Sequence, residues 1–213
     1  MLKRIHNDES GISLVEVLVA SAVASIIATA FLVLFSSFSR NVSLEEARAA
    51  ALTDVQQAMT ELTSELRQAI ALNADDPVVE VLDASWATAE LIFHSDRADA
   101  PGPERYRYYV ANCSVTHCDL MRDLTVADAA TPPWTFTGTP NTELIVANLL
   151  IDGDPLFSGA EWSSGSEVIT SDCDSATPCD FSLVEIILRV DPDPNTAAEE
   201  PLRVLHGVRL RNA

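Results

Sequence analysis

The 213-residue chain has a single lysine, Lys3, and 13 basic side chains against 32 acidic ones, a formal charge of −19. A chain so poor in cations repels nucleic-acid phosphates and anionic lipid headgroups, which excludes direct nucleic-acid binding and charge-driven docking on lipid. Glycine is scarce at seven residues, and neither glycine nor proline occurs between Ile12 and Pro77, so nothing there breaks a helix. There is no H-E-x-x-H, no G-x-S-x-G and no phosphate-binding glycine loop, and His94, His117 and His206 stand in no comparable setting. Carboxylate pairs are too abundant for any one to be singled out as acid and base. The sequence therefore reads as a non-enzyme. What is present is 47% apolar residues, enough to bury a core and to exclude a disordered acidic tail. The length allows one ordinary domain with an appendage, or two small domains.

Charge is unevenly placed. In the first ten residues Lys3 and Arg4 cancel Asp8 and Glu9, and from Ile12 to Ser39 the only charge is Glu16, which Arg40 balances. From Asn41 onward there are 10 arginines and 29 acidic residues, and 10 minus 29 is the whole −19. An apolar N-terminal rod thus precedes an acidic, water-facing remainder. The 22 residues from Val17 to Phe38 contain no charge, glycine or proline. As a helix they reach roughly 33 Å, which matches a bilayer core of about 30 Å. Lys3 and Arg4 before the run favour an N-terminus in the cytoplasm, which places everything after Ser39 outside it. A removable secretory signal needs a shorter apolar region and a small-residue cleavage site, for which Ser37-Phe38-Ser39 is a poor candidate. A plain anchor leaves Glu16 unexplained. An ionised carboxylate costs up to about 2.5–3.5 kcal/mol at mid-bilayer and less near an interface, and one at the entrance of a membrane span points to a function with a partner.

The order of residues here is specific: a short leader with Lys3 and Arg4, then Gly11-Ile12-Ser13-Leu14-Val15-Glu16, then an uninterrupted apolar helix. It resembles the class III signal of type IV prepilins and pseudopilins. The resemblance implies cleavage between Gly11 and Ile12 by a prepilin peptidase on the cytoplasmic side, followed by N-methylation of Ile12. Ile12 stands where phenylalanine is commonest in that family. Glu16 becomes the fifth mature residue, the family's usual glutamate, whose implied partner is the N-terminal ammonium of a neighbouring subunit. The implied partners are other pilin or pseudopilin subunits, the prepilin peptidase and an assembly platform in the cytoplasmic membrane. Retention of Glu16 implies a subunit able to follow another in a filament, since the tip pseudopilin typically lacks it. Ala20, Ala24 and Ala28 recur every four residues, as do Ser21, Ser25 and Thr29, and such stripes admit close helix packing.

Apolar residues continue at Leu44, Ala51, Val55, Met59, Leu62, Leu66 and Ile70 with spacings of three, four and seven, one face of a helix. Glu61 and Glu65 fall among the polar residues assigned to its wet side. The helix is expected to end at 73–77, after roughly 60 residues and about 90 Å, with a possible break at 36–41. Beyond Pro77 the period becomes extended, and strands are expected at 78–82, 89–94, 104–110, 119–125, 143–146, 184–190 and 202–211, with 152–180 rich in loops. The last segment alternates Leu202, Val204, His206, Val208 and Leu210 with Arg203, Leu205, Gly207, Arg209 and Arg211. Its arginines read as a solvated face pairing with acidic neighbours or as a subunit contact. A sheet packed on the amphipathic half-helix gives an α+β head, the architecture the resemblance also implies. The expected divisions are a leader at 1–11, a transmembrane and filament-core helix at 12–40, an amphipathic helix at 41–76 and a β-rich extracytoplasmic head at 77–213. Head size, paired cysteines and the closing arginine strand resemble minor pilins or J-type minor pseudopilins. The rival reading is a bitopic surface protein with an uncleaved anchor and a ligand-binding head.

Four cysteines fall as Cys113-x4-Cys118 and Cys173-x5-Cys179. Three pairings exist on paper, and the two local ones are favoured, the first closing a hairpin end and the second pinching an acidic loop. These spacings suit zinc poorly, and disulfides agree with a location outside the cytoplasm. No cofactor is called for. Asp191-Pro192-Asp193-Pro194-Asn195 begins like an EF-hand loop, but Thr196 and Leu202 replace the required glycine and glutamate. Asp152 and Asp154, or Asp172, Asp174 and Asp180, remain irregular Ca²⁺ candidates beside the simpler reading of solvated surface acids.

Overall fold

The computed structural model describes residues 13–73, 76–85, 88–96, 102–150, 153–163, 166–170, 172–173, 181–192 and 201–210. One helix, α1, runs unbroken over Leu14–Leu66. It contributes to two compact units, Met1–Glu46 and Ala47–Ala213. In the first, side chains from Ser13 to Ser43 are all exposed; in the second, the helix buries Val55, Ala58, Met59, Leu62 and Leu66.

The helix stops at Leu66, short of the expected 73–77. Arg67 N–H donates to the Thr63 carbonyl at 3.1 Å and Gln68 N–H to that of Glu65 at 3.0 Å. The chain then turns into a two-residue strand β1 (Ala69–Ile70), whose residues pair with Ser95 and His94. Ala69 is buried there, so sheet pairing and burial override a local sequence that has no helix breaker.

The seven expected strands are all present as β2 (Val79–Asp83), β3 (Glu90–Ser95), β4 (Glu104–Ala111), β5 (His117–Val126), β6 (Asn141–Leu150), β10 (Leu183–Val190) and β11 (Leu202–Arg209). Between β6 and β10, where loops were expected, lie three more: β7 (Phe157–Ser163), β8 (Ser166–Thr170) and β9 (Asp172–Cys173). They form one antiparallel sheet in the order β8-β7-β10-β6-β5-β4-β3-β2-β9, with β1 added to β3 and β11 to β10. The β10–β11 pair is in register over eight residues, from Leu183 opposite Arg209 to Val190 opposite Leu202. β6 pairs with β5 along most of its length but meets β10 only at Leu149 opposite Val190.

The helix face joins Leu91 and Phe93 of β3, Tyr106 and Tyr108 of β4, Leu120 of β5 and Val184, Ile186 and Leu188 of β10 in one core. Phe93 stacks on both tyrosine rings, with centroids 5.3 and 6.3 Å apart. This is an α+β architecture, a long N-terminal helix followed by an antiparallel sheet.

Candidate functional site

The N-terminal half of α1 begins with a local device. Ser13 precedes the first helical residue, and its Oγ accepts the Glu16 N–H at 3.2 Å while its carbonyl accepts from Glu16 and Val17 at 3.0 and 3.2 Å. Ser13-Leu14-Val15-Glu16 is thus a capped start with glutamate at the third helical position, where the helix dipole favours a carboxylate. Glu16 lies in the first turn and is exposed.

Beyond it the helix presents Leu18, Ile26, Ile27, Phe31, Leu32, Leu34 and Phe38 at 59% exposure or more. Each such side chain left in water forgoes about 1.5–3 kcal/mol, so this surface demands an apolar surround. The helix is long and apolar enough to cross a membrane. Four of its hydroxyls are satisfied within the helix: Ser21 Oγ donates to the Leu18 carbonyl at 2.9 Å, Ser25 to Ser21 at 2.8 Å, Thr29 to Ser25 at 2.8 Å and Ser37 to Val33 at 3.0 Å. The Ser21, Ser25 and Thr29 stripe therefore enters hydrocarbon or a helix interface without an unpaired donor. Gly11 and Ile12 lie outside the described residues.

In the head, Cys113 and Cys118 form a disulfide at the end of the β4–β5 hairpin, as the local pairing predicts. Ser114 N–H donates to the His117 carbonyl at 2.7 Å across the same turn. His117 bonds Thr116 through Nδ1 at 2.8 Å and Asp191 through Nε2 at 3.2 Å, tying the hairpin end to the residue after β10. Cys173 lies in β9 opposite Leu82, and Cys179 lies outside the described residues, as do Asp152, Asp174 and Asp180. Asp154 is engaged by Arg189, with Arg203 Nη2 3.9 Å away. Among the described residues no three His, Cys, Asp or Glu side chains gather as metal ligands.

One polar cluster was misread from the sequence. Glu65, assigned to the wet side of the helix, is fully buried. Its carboxylate accepts from Arg122 Nη1 at 2.9 Å and from the Tyr108 hydroxyl at 2.5 Å. Arg122 also bonds Glu61, and Glu143 at 2.6 Å. Burial opposes the charge on Arg122, but the hydrogen bond to Glu61 and the field of Glu65 outweigh it and raise its pKa. Burial first, and then Glu65, push the Tyr108 hydroxyl above its usual range. The available signal was spacing, because Glu65 follows Ala58 by seven residues and Leu62 by three, both on the buried face. His94 was not singled out for a role, and it is buried beside Glu80 at 3.8 Å with its ring centroid 4.9 Å from that of Phe136. Desolvation lowers its pKa to about 4, so it is neutral at pH 7.

Residues 6–32 match the family model of the prokaryotic N-terminal methylation motif. Comparison of the chain with curated proteins and with solved structures returns no match. The match contains the Gly11-Ile12 junction, Ser13, Glu16 and the first part of the exposed apolar surface, so the motif and the geometry coincide on the same helix start.

Proposed function

We propose that the chain is a structural subunit of a type IV pilus or pseudopilus, in the manner of a minor pilin or J-type minor pseudopilin. The carrying observation is that the methylation motif at 6–32 includes the start of a helix, from Leu14, whose exposed apolar surface up to Ser39 holds one charge, Glu16. In this reading residues 1–11 are a leader removed by a prepilin peptidase, and 12–40 anchor the subunit in the cytoplasmic membrane with its N-terminus inside. The amphipathic helix of 41–76, whose helical part ends at Leu66, and the sheet-bearing region of 77–213 form the extracytoplasmic head.

Cleavage after Gly11 leaves an ammonium on Ile12, and methylation keeps its charge. That cation stands at the positive end of a helix dipole and in apolar surroundings, so it needs a nearby anion. Glu16 of a neighbouring subunit supplies it when helices pack side by side, and the pairing sets their axial register because no other charge is present between Ile12 and Ser39. The chemistry of this protein is then assembly, with membrane burial exchanged for burial among sister helices.

Intact mass of the membrane-extracted protein tests the reading. A chain starting at Ile12 is expected, and one starting at Met1 or Asn41 overturns it. Glu16→Ala is expected to leave cleavage unchanged and to impair incorporation into filaments; normal incorporation removes the role given to Glu16.

A further inference from the structure

Among the described residues β1, β8, β9 and β11 each have a strand on one side only, and β6 is unpaired along part of one side; two of these edges, β11 and β6, carry opposite charge. β11 is paired on one side with β10 and has no strand on the other. β6 is paired with β5, and its stretch from Asn141 to Ala147 extends past its single contact with β10. Beside that free stretch of β6 lies a groove of about 290 Å³, walled by Asp54, Gln57 and Glu61 of α1 and by Glu143, Leu144 and Ala147 of the strand.

The two edges differ in charge. On the β6 side, Glu61, Glu65 and Glu143 share the one guanidinium of Arg122, and Asp54 adds another carboxylate. On β11 the outward residues are Arg203, Leu205 and Arg209; Arg203 is 3.9 Å from Asp154, and Arg209 has no ion pair among the described residues. Charges on an edge strand prevent it from pairing with its own kind. Two β11 edges repel, and so do two β6 edges, but a β11 edge and a β6 edge attract. Each edge also exposes a leucine, Leu144 at 52% and Leu205 at 54%.

We infer that the β11 edge of one copy docks on the acidic β6 edge of a second copy, extending the sheet from head to head. This rests on the filament reading above and deepens it. A contact between two different patches is heterologous, and when its rotation does not close it generates an open helical series. Backbone hydrogen bonds between the strands supply affinity, and the arginines facing Asp54 and Glu143 supply direction.

Full-length chains in proteoliposomes, treated with a short thiol-reactive cross-linker, test the contact. Chains carrying Leu144→Cys mixed with chains carrying Leu205→Cys are expected to give a mixed dimer that neither gives alone. Asp54→Arg in the first chain is expected to cut that product about tenfold, and Arg209→Asp in the second to restore it. Cross-linking of Leu144→Cys chains to one another as readily as to the mixed partner overturns the inference in favour of a symmetric contact. Leu18→Cys chains report helix association separately. If they cross-link and the heads do not, the inference falls and the filament reading stands. If neither does, both fall.

Discussion

Arg122 projects from β5 between Glu61, Glu65 and Glu143, and it is the cation that lets Glu65 be buried without exposure to water. Replacing it with methionine keeps most of the volume and removes the charge, leaving the buried Glu65 without the guanidinium while the Tyr108 hydroxyl still donates to it. The expected loss is about 3–5 kcal/mol in chemical denaturation; a loss below about 1 kcal/mol means that Glu65 finds solvent or a proton without cost. His94 gives the complementary pH effect. Its folded pKa of about 4 lies below the unfolded value of 6.5, so between those values the unfolded chain binds the extra proton. Stability attributable to His94 is therefore full above pH 6.5 and is lost as pH falls towards 4, by on the order of 3 kcal/mol. Denaturation midpoints measured across that window are expected to fall less steeply for His94→Gln than for the parent. Parallel slopes show that the carboxylates alone carry the acid sensitivity.

The elements legible in advance were those with a clean period. β10 alternates buried Val184, Ile186, Leu188 and Val190 with half-exposed neighbours, and β11 alternates exposed Arg203, Leu205, Gly207 and Arg209 with the more covered Leu202, Val204, His206 and Val208, so both were readable from their two-residue period. The apolar helix and its Glu16 were readable for the same reason, since few sequences place one acid at the head of an uninterrupted apolar run. The helix end at Leu66 was not, because its cause is β1 pairing with β3, a contact between residues distant in sequence. Nor was β7, whose Phe157-Ser158-Gly159-Ala160 start resembles a loop. Gly159 is there for space: a Cβ at that position runs into the ring of buried Phe181. Gly159→Ala is expected to cost about 1–3 kcal/mol. The loss should shrink in a Phe181→Leu background, where a shorter side chain leaves room, and equal losses in both backgrounds place the strain elsewhere.

At the scale of the whole molecule, hydration divides the chain where charge does. The −19 belongs to residues from Asn41 onward, because Lys3, Arg4 and Arg40 cancel Asp8, Glu9 and Glu16. Every buried residue of α1 lies at or beyond Val55, and the aliphatic side chains before Arg40 are exposed. The head therefore has a core of its own, drawn from residues at or beyond Val55, while the described residues from Ser13 to Ser39 carry an exposed apolar surface. A chain beginning at Asn41, carrying the full −19, is expected to need no detergent in water and to unfold at the same midpoint as the detergent-solubilised full-length protein. In a domain of this size about 1 kcal/mol moves the midpoint by roughly 2–4 °C. A shortened chain that melts lower by more than that has lost real packing, and the division of labour between an anchoring helix and an independent head is then wrong. Equal midpoints, with only the full-length chain partitioning into detergent, mean that the apolar half of α1 serves insertion and assembly alone.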